Sequence, residues 1–149
     1  MVNKKIKQFC NSKRPLVCLT AYTKYMGETV DQHCDLVLVG DSVGMVLYGA
    51  ENTREVTLDT MINHGKAVRK GVKKSILVID MPKGTYEKSA DIALKNAKKI
   101  FKKTKCDAVK LEGGVSISKV IKKLVKNNIP VMAHIGLMPQ KVKKKENFR

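Results

Sequence analysis

Three acidic residues, far apart in the sequence, share one local setting. Asp41 follows Leu36-Val37-Leu38-Val39-Gly40, Asp80 follows Ile76-Leu77-Val78-Ile79, and Glu112 follows Ala108-Val109-Lys110-Leu111. Each run is short and apolar, as expected of a strand buried on both faces in a parallel sheet covered by helices. The C-termini of all strands in such a sheet lie on one rim, so these carboxylates would meet there. A single acid after a strand is an ordinary helix cap or ion-pair partner. Three of them, with the hydroxyls of Thr20 and Ser42 nearby, also make a donor set for Mg2+, a hard cation that takes one or two carboxylates plus water and substrate oxygens. The sequence admits both readings.

Lys110 interrupts an apolar strand, where a charge is costly unless paired. It reads as a solvent-facing residue, as an ion-pair partner of Asp80 or Glu112, or as the cation for an anionic substrate's carboxylate. His134, at the end of Val131-Met132-Ala133, falls on the same rim and suits either a structural hydrogen bond or contact with a ligand. His33 and His64 lie in helical patterns and read as structural. Gly113-Gly114 reads as a strand-to-helix turn in preference to a backbone anion nest.

The elements that would position these residues alternate strictly. Residues 1–12 form a polar lead-in, with one helix packing Ile6 and Phe9. Pro15 opens a strand over Leu16–Thr20, and Thr23 caps a helix running to about Gln32. After the Leu36–Val39 strand, Ser42 to Val56 reads as a long loop leaving the acidic rim, the place for a lid or binding loop. Thr57 caps a helix from Leu58 to about Lys70, which Gly71 ends. A strand over Ser75–Ile79, a loop at Lys83–Tyr86, and a helix from Ser89 to about Lys103 follow. Then come the strand Ala108–Leu111, a helix from about Ser116 to Lys126, a turn at Asn127–Pro130, the strand Val131–Ala133, and a charged tail over 141–149. Residues 1–149 thus read as one α/β domain whose helices join parallel strands by right-handed crossovers. A complete open sheet and the first five strands of a (β/α)8 barrel both fit this order. No G-x-G-x-x-G or G-x-x-x-x-G-K-[ST] follows any strand, which favours the barrel.

The formal charge of +17 raises the possibility of a nucleic-acid partner. Placement argues against it, because the lysines of 95–103 and 119–126 share helices with apolar stripes and occupy the solvated faces. Four Tyr, three Phe and no Trp leave few stacking platforms for bases. No apolar run approaches the roughly 20 residues of a membrane helix, and the N-terminus lacks the apolar core of a signal peptide, so no membrane partner and a cytoplasmic location are expected. Cys10, Cys18, Cys34 and Cys106 show no ligand-like spacing and read as reduced, mostly buried hydrophobes.

Five stretches, in order between about Lys13 and Gln140, resemble the successive motifs of the ketopantoate hydroxymethyltransferase family: Leu19-Thr20-Ala21-Tyr22, Val39-Gly40-Asp41-Ser42-Val43-Gly44-Met45, Asp80-Met81-Pro82, Val109-Lys110-Leu111-Glu112-Gly113-Gly114 and His134-Ile135-Gly136-Leu137-Met138-Pro139-Gln140. The resemblance implies a (β/α)8 TIM barrel of the phosphoenolpyruvate/pyruvate superfamily, with its N-terminal five strands in this chain, and a homo-oligomer, a decamer in the family. It implies Mg2+-dependent hydroxymethyl transfer from 5,10-methylenetetrahydrofolate to 3-methyl-2-oxobutanoate, giving 2-dehydropantoate for pantothenate biosynthesis. By the family pattern Asp41 and Asp80 ligate Mg2+, Glu112 completes the metal's surroundings through water, and Ser42, Lys110 and His134 join the two aspartates in holding the oxo acid.

The family's catalytic base is a glutamate beyond the fifth strand, for which the sequence holds no counterpart, so no residue here is assigned as catalytic base. The corresponding alternative is a truncated, inactive product that binds metal or pairs with other chains. Thr23, Lys83 and Met138 depart from the family's common Asp, aromatic and Thr, which bears on loop packing. Five strands alone would leave open edges on the first and fifth. An isocitrate-lyase-like lyase is the rival enzyme, and the rim cysteine it would need is not apparent.

Overall fold

A computed structural model describes residues 4–142, so most of the charged segment 141–149 and the first residues of the lead-in lie outside the described residues. The elements are α1 (Lys4–Cys10), β1 (Cys18–Thr20), α2 (Lys24–Val30), β2 (Leu36–Val39), α3 (Val43–Tyr48), α4 (Leu58–Gly71), β3 (Ile76–Asp80), α5 (Ala90–Thr104), β4 (Ala108–Glu112), α6 (Ser118–Lys126) and β5 (Val131–His134). Short 3-10 turns cover Thr53–Glu55, Val115–Ile117 and Pro139–Lys141.

The five strands are parallel and stand in sequence order, β1-β2-β3-β4-β5. That order decides between the two candidate architectures. A doubly wound sheet reverses its strand order and carries helices on both faces, whereas a barrel winds one way with its helices outside. Here Val37, Val39, Leu77, Ile79, Val109 and Leu111 pack with Met61 and Val68 of α4, Ala97 and Ile100 of α5 and Leu124 of α6 in one continuous core. The other face carries Leu36, Leu38, Ile76, Val78 and Ala108, and among the described residues Ile6 and Phe9 of α1 pack against it. The sheet is therefore singly wound, the N-terminal part of a (β/α)8 barrel. Leu19 on β1 and Met132 on β5 are 41% and 37% exposed, in keeping with open edges on the outer strands.

Caps form where side chains predict them: Thr23, Thr57 and Ser89 accept the N–H groups of Met26, Thr60 and Ile92. Several other expectations are corrected. The Ser42–Val56 stretch is not a plain loop, since it carries α3 and the Thr53–Glu55 turn. α3 has six residues, too few to show a period, and its Val46, Leu47 and Tyr48 are exposed while only Val43 and Gly44 are buried. Gly49, at φ 69°, then stops it, its N–H bonding Gly44 O. β1 is shorter than expected, and His33 lies in a turn because α2 ends at Val30.

Gly71 is the last residue of α4, and it is needed for packing, with no left-handed turn involved. A Cβ there would land on Lys24 O and stand 2.6 Å from Glu28 N of α2. Cys10 and Cys18 are exposed, against expectation, while burial pushes the Cys106 thiol up to about 12.

At the N-terminal rim, aspartates serve the backbone. Asp107 accepts Leu77 N at 2.9 Å, and Asp35 accepts Val17 N at 3.0 Å. Asp31, just past α2, accepts the N–H groups of Lys73, Lys74 and Ser75 at 2.8, 2.9 and 2.7 Å. Burial works against ionising Asp31, but the N–H groups of Ser75, Lys74 and Lys73 more than offset it and hold the carboxyl at about 2. This pKa lies below the ordinary 3.8, so the clip stabilises the fold fully above about pH 4 and its contribution is lost as pH falls through about 2. Asp31→Ala is expected to cost about 1–3 kcal/mol for each buried N–H left unpaired. Urea unfolding at pH 7 should show the full loss, and the gap from the unchanged protein should narrow in acid.

Candidate active site

Strand pairing assembles the rim. Asp80 on β3 is the register neighbour of Lys110 on β4, and Glu112 that of His134 on β5. Strand alternation puts Lys110 and Glu112 on the same face as Ala108, away from the helices. This resolves the anomaly of a lysine in an apolar strand. Its flanking residues Val109 and Leu111 enter the helix-covered core, while Lys110 turns to the concave face and donates from Nζ to Asp80 Oδ1 at 2.8 Å. The pair is buried, its side chains 12% and 4% exposed.

Asp41 joins this pair through the turn after β2. Its N–H donates to Asp80 Oδ2 at 3.1 Å. Gly40 leaves room for the Ser42 hydroxyl, because a Cβ at that position would stand 2.8 Å from Ser42 Oγ, whereas its 3.6 Å distance from Asp80 Oδ2 would be an ordinary contact. Ser42 Oγ lies 2.8 Å from Tyr22 Oη, with either able to donate. Glu112 is held on the far side: its Oε2 accepts Gln140 N at 3.0 Å, and its Oε1 lies 3.5 Å from His134 Nδ1. Among the described residues His134 Nδ1 has no hydrogen-bond partner. The glycines after Glu112 form a turn, as expected: Gly113, at φ 142°, spends its N–H on His134 O at 3.0 Å.

Every expected site residue therefore lies on one rim, at the C-terminal ends of β2, β3, β4 and β5. Three contributors carried no assigned role from sequence. Gln140, 3% exposed, donates from Nε2 to Asp41 Oδ2 at 2.8 Å and Met81 O at 3.0 Å, and its Oε1 accepts from Tyr86 Oη at 2.6 Å. Tyr86 Oη also lies 3.0 Å from Glu112 O and accepts Glu112 N at 3.2 Å. Tyr22 holds Ser42. Tyr86 sits in a loop and Gln140 in the short 3-10 turn Pro139–Lys141, neither with a periodic pattern, although Gln140 closes the last of the family-like motifs. The available signal was their position just beyond strand ends on the acidic rim.

Two buried carboxylates around one ammonium leave the rim with excess negative charge. Burial and the neighbouring Asp80 push Asp41 up to about 7. Burial also pushes Asp80 upward, against the pull of Lys110. No three His, Cys, Asp or Glu side chains among the described residues close into a metal cage. Two adjacent carboxylates short of counter-charge are instead the smaller set that Mg2+ uses when water and substrate supply the other oxygens, so the donors fit that ion. The raised Asp41 pKa predicts a sign. The metal-free fold binds this proton more tightly than the unfolded chain, so Asp41 favours folding below about pH 4 and its contribution is lost as pH rises to about 7. Asp41→Asn should remove that fall from the stability-versus-pH curve measured in chelator by urea unfolding.

Comparisons with known proteins bear on the family and the fold. A family model for ketopantoate hydroxymethyltransferase matches residues 1–149. The 3-methyl-2-oxobutanoate hydroxymethyltransferase of Pelagibacter ubique is 57% identical over 141 residues, covering 93% of this chain and 54% of that protein. Its namesake from Rhizobium etli is 57% identical over 136 residues, covering 91% and 50%. The chain spans about half the length of the curated relatives it matches. Among solved structures, a phosphonopyruvate hydrolase complex with oxalate and Mg2+ superposes at TM-score 0.69 and 11% identity, over 87% of this chain and 50% of that one. Oxaloacetate acetylhydrolase superposes at TM-score 0.67 and 12% identity, over 87% and 52%. At 11% and 12% identity these two likenesses concern the fold alone. The sequence matches go further: with the family's pattern running through all of its residues, this chain belongs to the ketopantoate hydroxymethyltransferase family.

Proposed function

We propose that this chain supplies the oxo-acid and metal side of a hydroxymethyltransferase that converts 3-methyl-2-oxobutanoate to 2-dehydropantoate, with 5,10-methylenetetrahydrofolate as one-carbon donor. The observation that carries the reading is the buried Lys110–Asp80 pair beside Asp41, in a chain of this family. The assembly in which it works is a homo-oligomer, and its location the cytoplasm.

In this reading Asp41 and Asp80 hold Mg2+, with Glu112 reaching it through water. The bound ion supplies Lewis acidity that makes the C3 proton of a 2-oxo acid easier to remove. Lys110 has three N–H donors and spends one on Asp80, leaving two for the substrate's carboxylate. Ser42, with Tyr22 as its partner, offers a hydroxyl to the same acid, and His134 adds a ring nitrogen at the β5 end of the rim. Over the whole reaction C3 loses its proton and joins the one-carbon unit, and that unit's two bonds to folate nitrogens break, the nitrogens taking up the C3 proton and one proton from water. Water supplies the hydroxyl oxygen.

With Mg2+ present the protein should bind 3-methyl-2-oxobutanoate in equilibrium dialysis, and the absence of binding would sink the proposal. Lys110→Ala should weaken that binding by about 10–100-fold, the worth of a charge-assisted hydrogen bond of roughly 1.5–3 kcal/mol. In calorimetric titrations, Asp41→Ala and Asp80→Ala should each abolish Mg2+ binding. Binding that survives either change would remove that residue from the metal site.

A further inference from the structure

We infer that Gln140 is a positioning residue that sets the Asp41 carboxylate for its cation, a role that rests on the metal reading above. Gln140 follows β5, 99 positions along the chain from Asp41, yet its side chain closes on it at 2.8 Å. Its amide is fixed by three partners. Nε2 spends one N–H on Asp41 Oδ2 and the other on Met81 O, and Oε1 takes the Tyr86 hydroxyl. These bonds define which end of the amide is nitrogen, because Met81 O can only accept. The main-chain N–H of Gln140 holds Glu112 Oε2 as well, and Lys83 Nζ anchors Gln140 O at 2.8 Å. One residue thus ties Asp41, at the end of β2, to Glu112, at the end of β4.

The donor's neutrality matters. A lysine or arginine touching Asp41 would orient the carboxylate but also neutralise it, removing the attraction that a dication needs. An amide donor occupies one lone pair of Oδ2 and leaves the charge in place. The remaining Asp41 oxygen positions are then available to a cation, in an orientation already fixed before it arrives. Partners of this kind, which touch a ligand residue and not the metal, govern affinity by holding the ligand still.

Calorimetric titration of Mg2+ into the protein tests the role. Gln140→Met keeps side-chain length and removes both donor and acceptor, and should weaken Mg2+ binding by about 10–100-fold. Asp31→Ala, which loosens the fold at the opposite rim, should leave Mg2+ affinity unchanged and so separates positioning from general stability. Tyr86→Phe, which releases Gln140 Oε1, should weaken binding by less than Gln140→Met, and it decides the matter if Gln140→Met does not fold. Unchanged affinity in the folded Gln140→Met protein or, where that variant does not fold, in Tyr86→Phe, while Asp41→Ala has lost binding, overturns the positioning role and leaves the metal assignment standing. Equal weakening by Asp31→Ala overturns it too. No Mg2+ binding by the unchanged protein overturns both.

Discussion

A buried imbalance of charge organises this molecule. Asp80 and Asp41 lie within a main-chain hydrogen bond of each other, and Lys110 offers a single ammonium to the pair. In a low-dielectric setting carboxylates so placed are stable only if something fixes them and something else supplies positive charge. Gln140, which donates without neutralising, follows from that need. Substituting well-packed apolar residues would give an easier core. The retention of charge on this rim is the physical reason for reading it as a site.

The two rims of the sheet use the same residue type to opposite ends. At the N-terminal rim Asp31, Asp35 and Asp107 direct carboxylate oxygens at backbone N–H groups of a neighbouring turn or strand, and Arg14 and Arg69 add charge to two of them. Those acids fasten the fold, and burial does not stop the Asp31 carboxyl from titrating at about 2. At the C-terminal rim burial and the neighbouring acid Asp80 push Asp41 up to about 7, against the hydrogen bond from Gln140, which pulls it down. A barrel keeps stability at one end and chemistry at the other, and here the hydrogen-bond partners of its aspartates express the division.

The lysine-rich helices add a different kind of charge. On α5 the buried positions are Ala93, Ala97, Ile100 and Thr104, with Lys95, Lys98, Lys99, Lys102 and Lys103 exposed around them. Lys99 and Lys123 reach Asp59 and Asp91 on neighbouring helices, in exposed pairs of small energetic weight. The strong positive balance is thus a property of the helix-covered exterior. The lysine that pairs with a rim carboxylate, Lys110, is on a strand.

Sequence alone determined the parallel order, the strand-terminal acids and the caps, because each is written in a short local pattern. Apolar runs of four to five residues end on a carboxylate, and a Thr or Ser precedes each of α2, α4 and α5. The order of elements alone fits both a barrel and an open sheet, and the missing nucleotide fingerprints favoured the barrel; the strand order and the single core beneath α4, α5 and α6 settled it. The sequence also left the role of Lys110 open among solvent, ion pair and substrate. Strand register brings Asp80 alongside it and turns the side chain from the helices, which sets the ion pair. α3, the packing role of Gly71, and the closure of Gln140 on Asp41 were not legible. Each arises from contacts between segments distant in the chain, and such contacts exist only once the strands have set the spacing of everything attached to them.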